Sequence, residues 1–212
     1  MEISEDYLRM VASDAHKLVK YTRTDVKAEK SASFILPKKT SNILKSILSK
    51  ENEDVLVEFD SKNAFFTLSN YKLVCRLVEG KYPNYNAVIP QNNPNKLTID
   101  RVDFFNTVKR VSICANQASN LSKLSIDGNE IIISAQDIDF SISGVEKLNC
   151  QYDGDKMDIG FKSAFLIDIL SNLKSENILM EMSEPSRAGI ITPVEVDDKN
   201  EEILMLIMPM MV

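Results

Sequence analysis

A single histidine, His16, serves all 212 residues, and glycine is scarce at six. The first shortage weighs against hydrolytic catalysis, because a nucleophilic serine or cysteine needs a base held in a converging triad. Ser13 and Asp14 precede His16 closely in sequence, but such neighbours in an extended chain do not build that geometry, and no Gly-x-Ser-x-Gly elbow occurs. No P-loop or dinucleotide fingerprint is present either. Three cysteines, Cys75, Cys114 and Cys150, stand far apart with no Cys-x-x-Cys spacing, which argues against a zinc site or a disulfide framework and predicts reduced thiols. Asp153-Gly154-Asp155 with Asp158 has its glycine misplaced for a calcium loop and reads as a turn. No enzyme activity, metal or cofactor is expected. Met1 is followed by Glu2, Glu5 and Asp6 with no apolar block, so no signal peptide and a cytoplasmic protein are expected.

What is present is a globular composition, 44% hydrophobic and 26% charged, enough to bury a core in one or two domains. Tyr7 to Ser13 and Lys17 to Tyr21 read as two strands around the turn Asp14-Ala15-His16. A unit of strand, helix and three strands comes next. Ser33 to Leu36 is its strand, and a helix starts with Thr40 or Ser41 as N-cap. Ile43, Leu44, Ile47 and Leu48 share one helix face. Asp54 to Asp60, Asn63 to Leu68 and Tyr71 to Val78 are the three strands. The unit returns at Lys96 to Asp100, with a helix from Val102 to Ala115 that turns Phe104, Phe105, Val108 and Val111 or Ser112 inward. The turn Asp127-Gly128-Asn129 then joins two of its later strands. A third copy runs from Met157 to Phe161 and a helix over Ser163 to Leu173, and closes with the strand Ile203 to Ile207. Spacing between Ile35, Thr98 and Ile159 gives a period of about 60 residues.

Apolar helix stripes must be buried against apolar sheet faces, so paired units should form α+β domains with helices on one face of antiparallel sheets. Residues 90–212 make a full pair, whereas residues 1–89 make a pair that lacks a helix and a strand, as an amino-terminal truncation would leave it. The chain ends on Ile203 to Val212, ten uncharged residues with four methionines. This run is too short to span a bilayer. Pro209 has no N–H to give a central strand, so the tail is expected to leave the sheet there while still apolar, and an exposed apolar tail marks a contact site.

The net charge of −6 argues against nucleic-acid binding by the whole surface, but the charge is unevenly placed. Lys38, Lys39, Lys45 and Lys50 lie on or beside the first helix with no acid between Pro37 and Lys50, and Arg101, Lys109 and Arg110 meet only Asp103 in the second. Either these are solvated faces or they meet phosphates through diffuse charge without base readout.

Three motifs carry a resemblance that covers essentially the whole chain. Ser13-Asp14-Ala15-His16-Lys17-Leu18, Glu79-Gly80-Lys81-Tyr82-Pro83-Asn84-Tyr85 with Val88-Ile89-Pro90, and Met208-Pro209-Met210 resemble the beta subunit of bacterial DNA polymerase III, the sliding clamp, in that family's order. The resemblance implies the DNA clamp fold, with residues 1–89 as an amino-terminally incomplete middle domain and 90–212 as the C-terminal domain. It also implies a head-to-tail homodimeric ring whose helices surround double-stranded DNA. Lys38, Lys39, Lys45, Lys109 and Arg110 become DNA-proximal candidates, with Arg23 and Lys27 weaker ones. Ile113 and Cys114 match the C-terminal domain's side of the ring joint; without a first domain, this chain is expected not to close the ring.

The resemblance further implies a pocket for short peptides of the polymerase III alpha subunit, clamp loader and repair proteins. The matching positions are Ser13, Ala15, His16, Lys17, Leu18, Pro83, Val88, Leu206, Met208, Pro209, Met210 and Met211. Leu18, Val88, Leu206 and Met208 would form an apolar floor for leucine or phenylalanine anchors. The family often has Gly where Ala15 stands and Arg where Lys17 and Met211 stand, so the rim here is expected to be less basic. A different reading keeps a non-catalytic α/β scaffold or ligand-binding domain, with the tail as core.

Overall fold

Sixteen strands and three α-helices are present, and the computed structural model, which describes residues 1–212, divides them between two units. In chain order they are β1 (Glu2–Ile3), β2 (Leu8–Ser13), β3 (Lys17–Arg23), β4 (Ala32–Ser33), α1 (Lys38–Leu48), β5 (Leu56–Phe59), β6 (Asn63–Thr67), β7 (Lys72–Arg76), β8 (Asn95–Asp100), α2 (Arg101–Val111), β9 (Leu121–Asp127), β10 (Glu130–Asp137), β11 (Ile142–Asn149), β12 (Gln151–Asp153), β13 (Met157–Lys162), α3 (Ser163–Ser171), β14 (Asn177–Met182), β15 (Gly189–Pro193) and β16 (Glu201–Ile207). None of the helices is long and apolar enough to cross a membrane.

The first unit takes residues 1–9 and 24–84. β1 pairs antiparallel with β4 and with Leu8 and Arg9, while β5, β6 and β7 form an antiparallel meander. The β5–β6 turn is tied by Asp60, whose Oδ1 accepts from the Lys62 and Asn63 amides at 2.7 Å each, the local bonding that favours Asp in turns. Leu44 of α1 meets Ala64, Phe66, Leu68 and Leu77 in a small core.

Three expectations for this unit need correction. Helix α1 starts at Lys38 with Pro37 as its N-cap, and Thr40 is a buried residue inside it; Pro37 sets a fixed φ at the helix entrance without a capping side chain. The stripe is narrower than four residues, because Leu44 is buried while Ile43 and Leu48 are exposed. The strand before the helix is only Ala32–Ser33, with a lone Ile35–Val78 bridge after it.

The second unit takes residues 10–23 and 85–212. Its two antiparallel sheets enclose one core. In the first, the order β12-β8-β14-β15-β16-β3 brings Leu97, Met180, Ile191, Met205 and Val19 into one cross-strand row. In the second, β11-β10-β9-β13, Ile131, Ile126 and Met157 form one row and Ile133, Leu124 and Ile159 the next. These rows share the core with Phe104 and Val108 of α2 and Leu166 and Leu170 of α3, as the period of two in strands and 3.6 in helices requires. Each fully buried side chain of this kind stabilises by about 1.5–3 kcal/mol. Asp100 caps α2 by accepting the Asp103 amide at 2.7 Å. Between β9 and β10, Gly128 takes φ +58°, a conformation glycine adopts without steric cost.

Two further corrections belong here. Helix α2 ends at Val111, and residues 112–114 continue as a 3-10 turn. Asp153 is the end of strand β12 before the turn begins. At that turn a Cβ on Gly154 would collide with Asn95, whose side chain joins the Ser183 carbonyl to the Asp155 amide.

Candidate functional site

The second unit brings the His16 motif to the C-terminal tail. In the β2–β3 turn, the Asp14 carboxylate accepts the amides of His16 at 3.1 Å and Lys17 at 2.9 Å, and the Ser13 hydroxyl donates to the Lys17 carbonyl at 3.0 Å. Partial burial opposes ionisation of Asp14, yet the Lys17 and His16 amides outweigh it and hold the carboxyl below its ordinary range. Ser13 and Asp14 are thus occupied by the turn and not by the imidazole. Ala15 sits at φ +72°, which costs roughly 1–2 kcal/mol for a residue with a Cβ.

From this turn β3 runs antiparallel to β16, pairing Lys17 with Ile207 and Leu18 with Leu206. Leu18 and Leu206 are both buried but lie outside the main core, on the sheet face opposite to Met205 and Ile207. Past Ile207 the Met208 amide donates to the His16 carbonyl and the Met210 amide to the Gly160 carbonyl, each at 2.8 Å. Pro209 falls between these two donors, where no N–H is needed. The tail therefore leaves its own sheet after Ile207, in line with the expectation at Pro209, and Met210 then bridges to the outer edge of β13 in the other sheet. Its side chains still reach solvent: Met208 is 40% exposed and Met211 96%.

Helix α3 adds residues that sequence reasoning missed. The His16 ring stacks on Phe165 with centroids 5.6 Å apart. Lys17 and Lys162 place their Nζ atoms 5.2 and 5.3 Å from the same ring, within cation–π range, and Lys17 also pairs with Asp168. Phe165 is half-buried against the main core, and its role depends on a partner far away in sequence. Val88, after the 3-10 turn of residues 85–87, is 57% exposed. Pro83 is exposed and belongs to the first unit.

The basic candidates differ in their surroundings. Lys38, Lys39 and Lys45 are exposed on α1, which has no acid in its first turn. Lys109 is exposed on α2 with its Nζ 5.8 Å from the Phe105 ring. Arg110 is held by Glu146 through Nε at 2.8 Å and Nη2 at 2.6 Å; the pairing lowers the Glu146 carboxyl and raises the guanidinium. Arg23 meets Asp198 at 2.8 Å and Glu201 at 3.7 Å, and Lys27 is exposed near Glu5 and Glu29. Ile113 is 77% exposed, and Cys114 packs at Gly144 on the edge strand β11. Ile138, Phe140 and Val145, also strongly exposed, lie along the same β10–β11 margin. Sequence periodicity did not single them out, because a half-buried strand carries the same apolar residues.

Among known families, the model for the DNA polymerase III beta subunit, central domain, matches residues 1–84, and that for its C-terminal domain matches residues 86–211. The beta sliding clamps of Staphylococcus aureus and Staphylococcus epidermidis are 28% identical over 205 residues, which is 95% of this chain and 54% of theirs. A crystal structure of the Bartonella birtlesii DnaN sliding clamp bound to griselimycin is 30% identical with a TM-score of 0.87, covering 97% of this chain and 55% of that one. The Thermotoga maritima beta subunit gives 25% identity and a TM-score of 0.90, over 100% and 56% of the two chains. The chain thus spans about half the length of the curated relatives it matches.

Gly160 is the residue on which the tail's placement turns. A Cβ there would lie 2.7 Å from Val212 Cγ1 and 2.8 Å from both Leu121 Cδ1 and the Met210 carbonyl oxygen. Each tail amide bond is worth only about 0.5–1.5 kcal/mol net, so the clash exceeds what holds the tail down. Gly160→Ala is expected to speed hydrogen exchange at the Met210 amide about tenfold or more while core amides keep their protection. An unchanged Met210 exchange rate would contradict this account.

Proposed function

The chain belongs to the DNA polymerase III beta subunit family, and on that premise we propose that it acts as the middle and C-terminal domains of a sliding clamp, the processivity factor of a bacterial replicative polymerase. The clamp of which it forms part works by enclosing duplex DNA and by docking partner proteins, not by chemistry. The domain boundary proposed lies near residue 89. The polymerase alpha subunit, the clamp loader and repair proteins dock through short linear peptides on the surface made by the tail and the His16 turn.

One observation carries the peptide reading: the far-separated motifs at Ser13–Leu18 and Leu206–Met211 are joined strand to strand. The buried Leu18–Leu206 pair beside an exposed, conformationally adaptable Met208 supplies an apolar anchor site. His16 and Lys17, aligned on Phe165, give that site a polar rim. Peptide recognition of this kind concentrates affinity in a few apolar anchors. Ring closure is proposed at the margin bearing Ile113 and Cys114, where the exposed Ile138, Phe140 and Val145 provide apolar area for a neighbouring subunit.

For DNA, the exposed lysines of α1 and Lys109 of α2 are proposed to meet phosphates diffusely. Arg23 and Arg110 contribute less, since Asp198 and Glu146 already engage them. A weakly basic surface suits a ring that must slide, because each tightly neutralised phosphate adds an affinity that has to be broken at every step.

The direct test is titration of a labelled peptide that carries a Gln and, after it, Leu and Phe anchors. Saturable binding is expected, and both Met208→Ala and removal of residues 208–212 should weaken it, the latter by about tenfold or more, without a comparable loss in thermal stability. A Met208→Ala variant that loses stability yet binds the peptide normally would favour the scaffold reading. For DNA, the weak affinity for duplex should fall as salt rises, and Lys109→Gln should reduce the slope of log K against log salt by about 0.9. Salt-independent duplex binding would refute the electrostatic contact.

A further inference from the structure

β7 ends the first unit's three-stranded sheet and β11 ends one side of the second unit's four-stranded sheet, each with one edge unpaired. The internal repeat says what kind of strand each edge takes. β3 and β11 each close the first half of a pair of repeats, and β7 and β16 each close the second half. The registers of β7 and β16 agree: Ala64 opposite Cys75 matches Gly189 opposite Ile207, and three residues further on the lone bridge Ile35–Val78 matches Gly160–Met210. β3 and β11 agree as well, since the third residue of each, Val19 or Gly144, faces the core side. Within this chain the two kinds of strand meet, because β16 pairs antiparallel with β3 over seven residues. β7 and β11 are the same two kinds, and a free edge offers the backbone donors and acceptors on which a further strand adds.

We propose that β7 of one copy of this chain pairs antiparallel with β11 of a second copy, as β16 pairs with β3 within each. The first residues of β3 and β11, Lys17 and Ile142, are equivalent in this scheme, so the register carries over directly. It sets Cys75 opposite Ile142, Val74 opposite Ser143 and Lys72 opposite Val145. The exposed side chains suit that pairing: Val74 is 52% and Val145 67% exposed, and the register makes them diagonal neighbours on one face, within reach of each other. The occupant is a second copy because the chain carries both halves of a joint that it already uses once. Since the two edges differ, the contact is head to tail and leaves each copy one free edge for the next, as in rings and filaments. The β11 margin thereby gains a neighbour without a first domain, contrary to the expectation from sequence.

The inference rests on the closure margin proposed above and adds the strand that meets it; the test separates the two. Sedimentation of the full chain at rising concentration is expected to show species at multiples of the chain mass. Val145→Glu, which sets an acid opposite Lys72, should associate about threefold or more tightly than Val145→Lys, which sets like charges there. A covalent readout fixes the register. The Met208 amide bonds the His16 carbonyl, so the next pair, Ile207 with Lys17, is the closely spaced, non-hydrogen-bonded kind, and its counterpart is Cys75 with Ile142. With oxidised glutathione present, Ile142→Cys should form a disulfide with Cys75 of a second copy, located by peptide mass and lost in Cys75→Ser. Association weakened by Ile113→Lys, but with no such disulfide and no difference between the Val145 variants, would refute β7 as the partner and keep the margin. Association indifferent to all these substitutions would overturn both readings, and a chain monomeric at every concentration would overturn the pairing of copies.

Discussion

The ladder between β3 and β16 is the interaction on which the rest of the second unit's surface depends. Seven residue pairs, from Arg23 with Glu201 to Lys17 with Ile207, join segments almost at opposite ends of the chain. Closing so long a loop costs little more than closing one half its length, because the entropy grows only logarithmically. The return is register. Because side chains alternate with a period of two, a slip of one residue would send Leu18 and Leu206 to the opposite face and Met205 and Ile207 out of the core. With the register as it is, one face of the pair completes the main core and the other sets the buried Leu18–Leu206 pair beside His16.

Beyond the ladder the chain is held far more lightly. Ile207 is buried in a dense core, whereas Met208 and Met210 are tied by single backbone hydrogen bonds to His16 and Gly160. A tail held in this way can open and re-close without unfolding the sheet. That difference suits the docking surface proposed: a rigid floor beside a wall that can adapt. Phe165 joins the two parts, since it packs beside the main core while receiving His16 and Lys17 from the hairpin turn.

Much of this architecture was legible in the sequence wherever one element decides its own burial. The stripe Phe104, Val108 and Val111 in α2 and the strand alternation of Ile131 and Ile133 are intrinsic patterns, and both are buried as periodicity predicts. The short elements were not legible. β1 and β12 have two and three residues, too few for any alternation to register, and they exist only because a neighbouring strand offers them a ladder. In α1 a four-residue stripe was read, but the small core of the first unit covers only Leu44 and Thr40 fully. For the candidate site, the tail and the His16 turn were visible as motifs, while Phe165, Asp168 and Gly160 were not. Their roles come from contacts with segments remote in the sequence or, at Gly160, from the missing Cβ that lets the tail approach.

The claim that the tail, the His16 turn and Phe165 act as one docking surface is tested most directly by mapping backbone amide chemical shifts of the chain as an anchor peptide is added. The account predicts that the largest changes gather at His16, Lys17, Phe165 and Leu206 to Met210. Changes confined to the exposed faces of α1 and α2, or to the β11 margin, with those residues unmoved, would contradict it.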